Sequence, residues 1–156
     1  MTEREKLVYD ALSAQCARRE YCVSDIRRKA LERLEFDAAA ADAVVASLVA
    51  DGYVDDRRYA AAFARDKSAL SGWGPVKIRS ALLARGVDRA VVLESLEEID
   101  PERAASRLEK VLETKWRSLR DDPQGRLKLI RFALSRGYDY DPIRPLIERL
   151  TRPSDD

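Results

Sequence analysis

Apolar residues along this chain recur at spacings of three and four, the period of a helix with one buried face, and almost no sheet is expected. Turn signals divide the pattern into successive helical segments. The first three are expected over 3–18, 24–34 and 37–51, with Asp37 capping the third. Three more are expected over 56–70, 75–85 and 88–99. Asp55 and Asp56 open the first of these, where a carboxylate can accept free backbone N–H groups and meets the positive dipole end. Tyr59, Phe63 and Leu70 then share one face, at offsets of four and seven. Gly72 and Gly74 stop that helix and Pro75 suits the first turn of the next. Its apolar face, Val76, Ile78, Leu82 and Leu83, runs to Gly86, where glycine fits a left-handed cap. The last group starts at Asp100-Pro101, a cap and a first-turn proline, and carries Leu108, Val111, Leu112, Trp116 and Leu119 on one face. It continues over 124–136 and 141–150, and the Asp-Pro pairs at 122–123 and 141–142 read as helix starts.

The pattern repeats. Val76-Lys77-Ile78 with Leu83-Ala84-Arg85-Gly86-Val87-Asp88 parallels Leu127-Lys128-Leu129 with Leu134-Ser135-Arg136-Gly137-Tyr138-Asp139, at an offset of 51 residues. Val92 and Leu96 fall against Ile143 and Ile147 in the same register. A third copy lies upstream in Ile26, Leu31, Phe36 and Asp37, followed by Val44, Val45, Leu48 and Val49, without the glycine. A three-helix unit of about 50 residues buries too little surface to be robust alone, so neighbours must share burial by stacking. The expected fold class is therefore all-α, with three tandem three-helix repeats forming an elongated, curved, right-handed-type helical array. The expected boundaries are 1–52, 53–99 and 100–152, with a loose tail at 153–156 and flexibility near 52–55 and 99–101.

Composition agrees with a helical protein: 46% of residues are hydrophobic, which excludes general disorder, 37% are charged, and there are six glycines and six prolines. The net charge of +1 hides an asymmetry. Residues 1–102 hold 16 basic and 19 acidic side chains, whereas 103–152 hold 13 basic and 7 acidic, so the last third is the basic end. Cys16 and Cys22 are the only cysteines and there is no histidine, so a four-ligand zinc site cannot be assembled from them. They read as thiols in a reducing compartment. The start, Met1-Thr2-Glu3-Arg4-Glu5-Lys6, has no apolar signal segment, and a soluble, cytoplasmic monomer is expected.

The stretch Gly52-Tyr53-Val54-Asp55-Asp56-Arg57-Arg58-Tyr59-Ala60, continuing through Phe63, Arg65 and Lys67 to Gly72-Trp73-Gly74-Pro75, Ile78, Leu82, Gly86 and Val87, resembles the signature of the RecX family. The resemblance is strongest here, fair over 128–138, and weak in the first unit. It implies a protein that is not an enzyme, takes no cofactor, and binds the RecA recombinase and RecA–DNA filaments. The implied action is inhibition of filament extension, ATPase, strand exchange and coprotease cleavage, in homologous recombination, DNA repair and the SOS response. The motif residues it singles out are Gly52, Tyr53, Asp55, Asp56, Arg58, Tyr59, Ala60, Phe63, Gly74, Ile78, Leu82 and Gly86.

Other readings of the same residues are weaker. Gly72-Trp73-Gly74-Pro75 lacks the strand before it and the Gly-Lys-Ser/Thr after it that a phosphate loop needs. Asp55 and Asp56 diverge from adjacent positions and lack a third partner, so capping accounts for them better than a metal or catalysis. Leu48-Val49-Ala50-Asp51-Gly52-Tyr53-Val54 could lead into the wing of a winged-helix domain, but Arg57-Arg58-Tyr59-Ala60-Ala61-Ala62-Phe63-Ala64 continues with helical spacing. With no histidine, and no nucleophile beside a base, the chain carries no catalytic or metal signature. The residues left for a partner are basic: Lys77, Arg79, Arg85 and Arg89 in the middle unit, and Arg126, Lys128, Arg131, Arg136, Arg144 and Arg149 in the last. Stacking would join them into one stripe able to attract a phosphate backbone or an acidic protein surface. The alternative to RecA regulation is a sequence-independent helical DNA-binding protein acting through this charge alone.

Overall fold

The structure, a computed structural model, describes residues 1–153, and among them the secondary structure is entirely helical. The helices are α1 (Glu3–Cys16), α2 (Val23–Arg33), α3 (Ala38–Ala50), α4 (Asp56–Ala69), α5 (Pro75–Ala84), α6 (Arg89–Ser95), α7 (Pro101–Leu119), α8 (Gly125–Ser135) and α9 (Tyr140–Thr151), with a 3₁₀ turn at Leu96–Glu98 after α6. No strand occurs over 53–58, where the winged-helix alternative requires one. Of the tail expected at 153–156, residues 154–156 lie outside the described residues.

Two compact units divide the chain. One comprises Met1–Phe63 with Leu82–Ser95, and the other Ala64–Ala81 with the chain from Leu96 onward, so the division falls inside α4 and α5.

In the first unit α1, α2 and α3 close around Val8, Leu12, Ile26, Ala30, Leu34, Ala41, Val44, Val45, Leu48 and Val54. Thr2 caps α1 with a capping box: its hydroxyl accepts from the Glu5 amide at 3.1 Å, and the Glu5 carboxylate accepts from the Thr2 amide at 2.9 Å. Asp37 caps α3 by accepting from the Ala40 amide. The α2–α3 corner shows how the glycine-free copy copes. By the 51-residue register Glu35 stands where Gly86 and Gly137 stand, and all three are left-handed, at φ 54°, 76° and 96°. The same six-to-one bond closes two of these corners, Phe36 N–H to the Leu31 carbonyl and Val87 N–H to the Leu82 carbonyl. Only the first copy places a side chain in that strained region, and it carries Phe36 into positive φ as well, leaving the ring exposed.

In the second unit α7, α8 and α9 pack around Leu112, Leu129, Ala133, Ile143 and Ile147. Leu108, Trp116, Leu119, Ile130, Phe132, Tyr138, Leu146 and Leu150 are half-buried against that core. Asp100 caps α7 through the Glu102 and Arg103 amides, with Pro101 in the first turn.

Several expectations change. Leu70 does not share a core face with Tyr59 and Phe63: it is 83% exposed, one residue beyond the end of α4. The fully buried positions of α4 are Ala60 and Ala64, one step around the helix from Tyr59 and Phe63, whose bulk leaves them half-buried. Leu83 is likewise exposed, because Ile78 and Leu82, four apart, take the inner face of α5. The helix expected over 88–99 is shorter and tightens to a 3₁₀ turn at its end.

Candidate partner-binding face

The motif residues hold the fold together. In the first unit Asp55 caps its own helix, accepting from the Arg57 and Arg58 amides at 2.9 and 3.2 Å. Asp56 does something else. Its carboxylate accepts from the Val23 amide at 2.8 Å, which caps α2, whose own N-cap residue Cys22 supplies no side-chain bond. Arg58 donates to Glu20 at 2.6 Å and to the Tyr53 carbonyl at 3.3 Å, and Tyr53 meets Tyr9 edge-on at 6.1 Å. Gly52 takes φ 81°, and the Tyr53 amide closes onto the Leu48 carbonyl. Ser24 caps the far end of α5 by donating to the Arg85 carbonyl at 2.6 Å, close beside Gly86. Tyr59 and Phe63 stack tilted at 5.8 Å with the Arg85 guanidinium 4.9 Å above the Phe63 ring. Burial pushes the Tyr59 phenol up and Arg85 opposes it.

In the second unit the Gly-Trp-Gly-Pro turn meets the end of α8. Gly74 N–H donates to the Arg136 carbonyl at 2.6 Å and Val76 N–H to the Gly137 carbonyl at 2.9 Å. Both glycines are required by this approach, because a Cβ on Gly74 would overlap the Gly137 carbonyl and one on Gly137 would meet the Lys77 amide at 2.8 Å. Arg136 Nη2 donates to the Ser71 carbonyl at 3.2 Å, and Arg107 reaches the buried Ser68 hydroxyl. Lys67 and Lys77 lie 4.7 and 4.5 Å from the Trp73 ring. Ile78 and Leu82 are fully buried.

The predicted basic residues fall into distinct settings. Arg85 and Arg89 belong to the first unit, and Lys77, Arg79, Arg126, Lys128, Arg131, Arg136 and Arg144 to the second. Arg79, Arg89, Arg126 and Arg131 are exposed, and none forms an ion pair among the described residues. Lys128 pairs with Asp122, holding that carboxyl below the usual range, Arg144 pairs with Glu148 at 3.0 Å, and Arg149 pairs with Glu109. At 3.6 residues per turn Arg126 and Lys128 point about 160° apart, so α8 does not present them on one face. Lys128, Phe132 and Arg136 do align, at i, i+4 and i+8.

That alignment uncovers residues the sequence did not single out. Lys115 of α7 lies 5.2 Å from the Phe132 ring and Arg136 5.8 Å from it, and Lys110, Val111, Thr114, Lys115 and Ser118 line a groove against Phe132. A run of cations interleaved with aromatic rings therefore crosses the second unit, from Lys67, Trp73 and Lys77 to Arg136, Phe132, Lys115 and Lys110. The signal in the sequence was a pair of small residues, Thr114 and Ser118, one turn apart and preceded at four and three residues respectively by a lysine, Lys110 and Lys115. Cys16 and Cys22 are free thiols, half-buried and buried, and burial pushes both above the ordinary thiol range. No grouping of three or more metal-ligating side chains occurs among the described residues, and no helix among them is long and apolar enough to cross a membrane.

The family profile described as RecX, second three-helix domain, matches residues 55–96, which holds both Asp caps, the Gly-Trp-Gly-Pro turn and Gly86. The profile described as RecX, third three-helix domain, matches residues 102–147. The chain belongs to the RecX family. Curated RecX relatives include the regulatory protein RecX of Bacillus mycoides, 31% identical over 128 residues that make up 81% of this chain and 47% of the relative. That of Bacillus cytotoxicus is 30% identical over the same extent. The chain thus spans about half the length of the curated RecX proteins it matches. The RecX fold agrees: a crystal structure of regulatory protein RecX superposes with a TM-score of 0.82 at 20% identity, covering 92% of this chain and 71% of that one. RecX from Lactobacillus salivarius superposes at 0.80 and 17% identity, covering 96% and 98%.

Proposed function

We propose that this chain is a non-enzymatic regulator that binds RecA and RecA–DNA filaments and inhibits filament extension, and with it ATPase, strand exchange and coprotease cleavage. One observation carries this reading: the two RecX domain matches are consecutive along the chain and cover the cation and aromatic run of the second unit. The motif residues serve in capping and close backbone contacts, so beside exposed apolar side chains such as Leu83 and Leu127, exposed cations are the charged groups available to a partner. Arg79, Arg89, Arg126 and Arg131 are the strongest of these, since binding them costs no existing ion pair. The repeats at 1–52, 53–99 and 100–152 would each contribute surface, so that one molecule touches more than one RecA protomer and prefers filament to free RecA.

The test is a RecA ATPase and strand-exchange assay on single-stranded DNA with this chain added below RecA stoichiometry. Inhibition at such ratios supports filament binding. Inhibition only when the chain is present in enough excess to coat the DNA supports the second reading, a sequence-independent DNA binder acting through its basic side chains.

A further inference from the structure

We propose that the groove between α7 and α8 is a docking site for an acidic peptide segment bearing apolar anchors. The groove is an open trough of about 500 Å³, lined by Lys110, Val111, Thr114, Lys115, Ser118 and Phe132. Thr114 and Ser118, at i and i+4, keep the α7 side of the trough shallow, while Phe132 forms the opposite wall. The floor has little to offer a polar ligand. The Thr114 hydroxyl donates to the Lys110 carbonyl at 3.0 Å and the Ser118 hydroxyl to the Lys115 carbonyl at 2.7 Å, so both turn their polar hydrogens back into α7. What remains to contact a ligand is Val111, the threonine methyl and the Phe132 ring. Around this apolar floor stand two ammonium groups, and neither Lys110 nor Lys115 pairs with a carboxylate among the described residues.

A complementary ligand therefore brings apolar side chains to the floor and carboxylates to the rim. A peptide supplies both from one short segment, laid along α7 with its apolar face inward. A nucleic acid fits less well. Its phosphates would suit the lysines, but the groove offers base edges no hydroxyl donor, since the Thr114 and Ser118 hydrogens are both turned into α7. This assignment goes beyond regulation of RecA, because it fixes the chemistry of a bound segment without reference to the protein that supplies it.

The test is fluorescence anisotropy with the full chain and a short fluorescein-labelled peptide built of Glu-Glu-Leu-Phe repeats. Three further probes accompany it: a Gln-Gln-Leu-Phe peptide, a Glu-Glu-Ser-Ser peptide and labelled oligothymidylate. The expected result is saturable binding of the first peptide and at least about tenfold weaker binding of the other two peptides, the scale of losing complementary charge or its apolar partner. Lys110→Glu with Lys115→Glu, and separately Thr114→Trp or Ser118→Trp to fill the trough without touching charge, should each weaken the first peptide by about tenfold or more at an unchanged melting temperature. Equal binding of the Glu-Glu-Ser-Ser peptide would mean bulk charge attraction and overturn the proposal. So would retention of binding by both tryptophan variants, or oligothymidylate binding tighter than any peptide and lost on filling the trough.

Discussion

The Gly74 amide donates to the Arg136 carbonyl at 2.6 Å, so the start of α5 rests on the end of α8. The Val76 to Gly137 bond repeats the contact two residues on. Each bond joins an N–H that its own helix leaves unpaired to a carbonyl that its own helix leaves unpaired, and the positive end of one dipole faces the negative end of the other. Such a junction tolerates no Cβ. Gly74→Ala would drive its methyl into the Gly137 carbonyl and to within 2.8 Å of the Tyr138 ring, against backbone that cannot rotate away. A loss of about 2–4 kcal/mol in urea unfolding is expected, the range of a large steric insertion at a packed site. An unchanged midpoint would mean that the junction opens at little cost.

The contrast between Glu35 and its glycine counterparts gives a prediction of opposite sign. Glu35 holds φ 54° with a full side chain, and its ion pair with Arg4 at 3.0 Å is mostly exposed, so little is lost with it. Glu35→Gly should stabilise the chain by about 0.5–1 kcal/mol, the left-handed penalty relieved less the extra freedom of glycine when unfolded. The check is a shift of the urea midpoint to higher concentration with the slope unchanged. A lower midpoint would show that the Arg4 contact outweighs the strain.

Much of the fold was legible because helical periodicity and caps are local. Asp37, Asp55, Asp100 and Pro101 mark helix starts from their neighbours alone, and each does so in the structure. Asp56 was legible as a cap but not as the cap of α2, since Val23 lies 33 residues away and no local rule connects them. Tyr59 and Phe63 were read as core because ring size outweighed alanine in the periodicity, whereas Ala60 and Ala64 permit the closer approach and take the inner face. At the candidate face the count of cations was visible and their grouping was not. Lys128 and Arg144 are tied to acids elsewhere in the chain or along its own helix, and Lys115 reaches Phe132 only through packing of α7 on α8.

Tyr9 reports on the α1–α3 pairing through its ionisation. Its hydroxyl donates to Asp51 at 2.6 Å, and the phenol is pushed up to about 12, chiefly because ionising it would lose that bond and set a phenolate beside a carboxylate. A raised folded pKa means that the linked stabilisation is complete below the unfolded value near 10 and disappears as pH climbs from there toward 12. In a spectrophotometric titration of the six tyrosines, Tyr9→Phe should delete one late-ionising group. If the late part of the curve is unaltered, the bond to Asp51 does not persist in solution.

Charge reversal at the exposed, unpaired arginines separates the two functional readings. Arg79→Glu, Arg126→Glu and Arg131→Glu are the informative set because no ion pair is broken among the described residues. Lys128 is tied to Asp122, and Arg136 and Lys77 belong to the α5–α8 junction, so changing them would confound binding with folding. Each of the three substitutions alone should leave stability within about 0.5 kcal/mol of the parent chain, as surface substitutions do, so the triple variant stays folded. Its affinity for bare DNA should fall, and the slope of log affinity against log salt should shrink by roughly 2 to 3 if each arginine meets one phosphate. RecA then decides. A regulator held by contacts to RecA protomers as well as by charge keeps part of its inhibition of strand exchange, because shape and apolar contacts do not depend on these guanidinium groups. A protein that works by coating DNA loses inhibition in step with DNA affinity. A folded triple variant with no residual effect on preformed RecA filaments therefore rejects the RecA-binding reading in favour of the charge-only one.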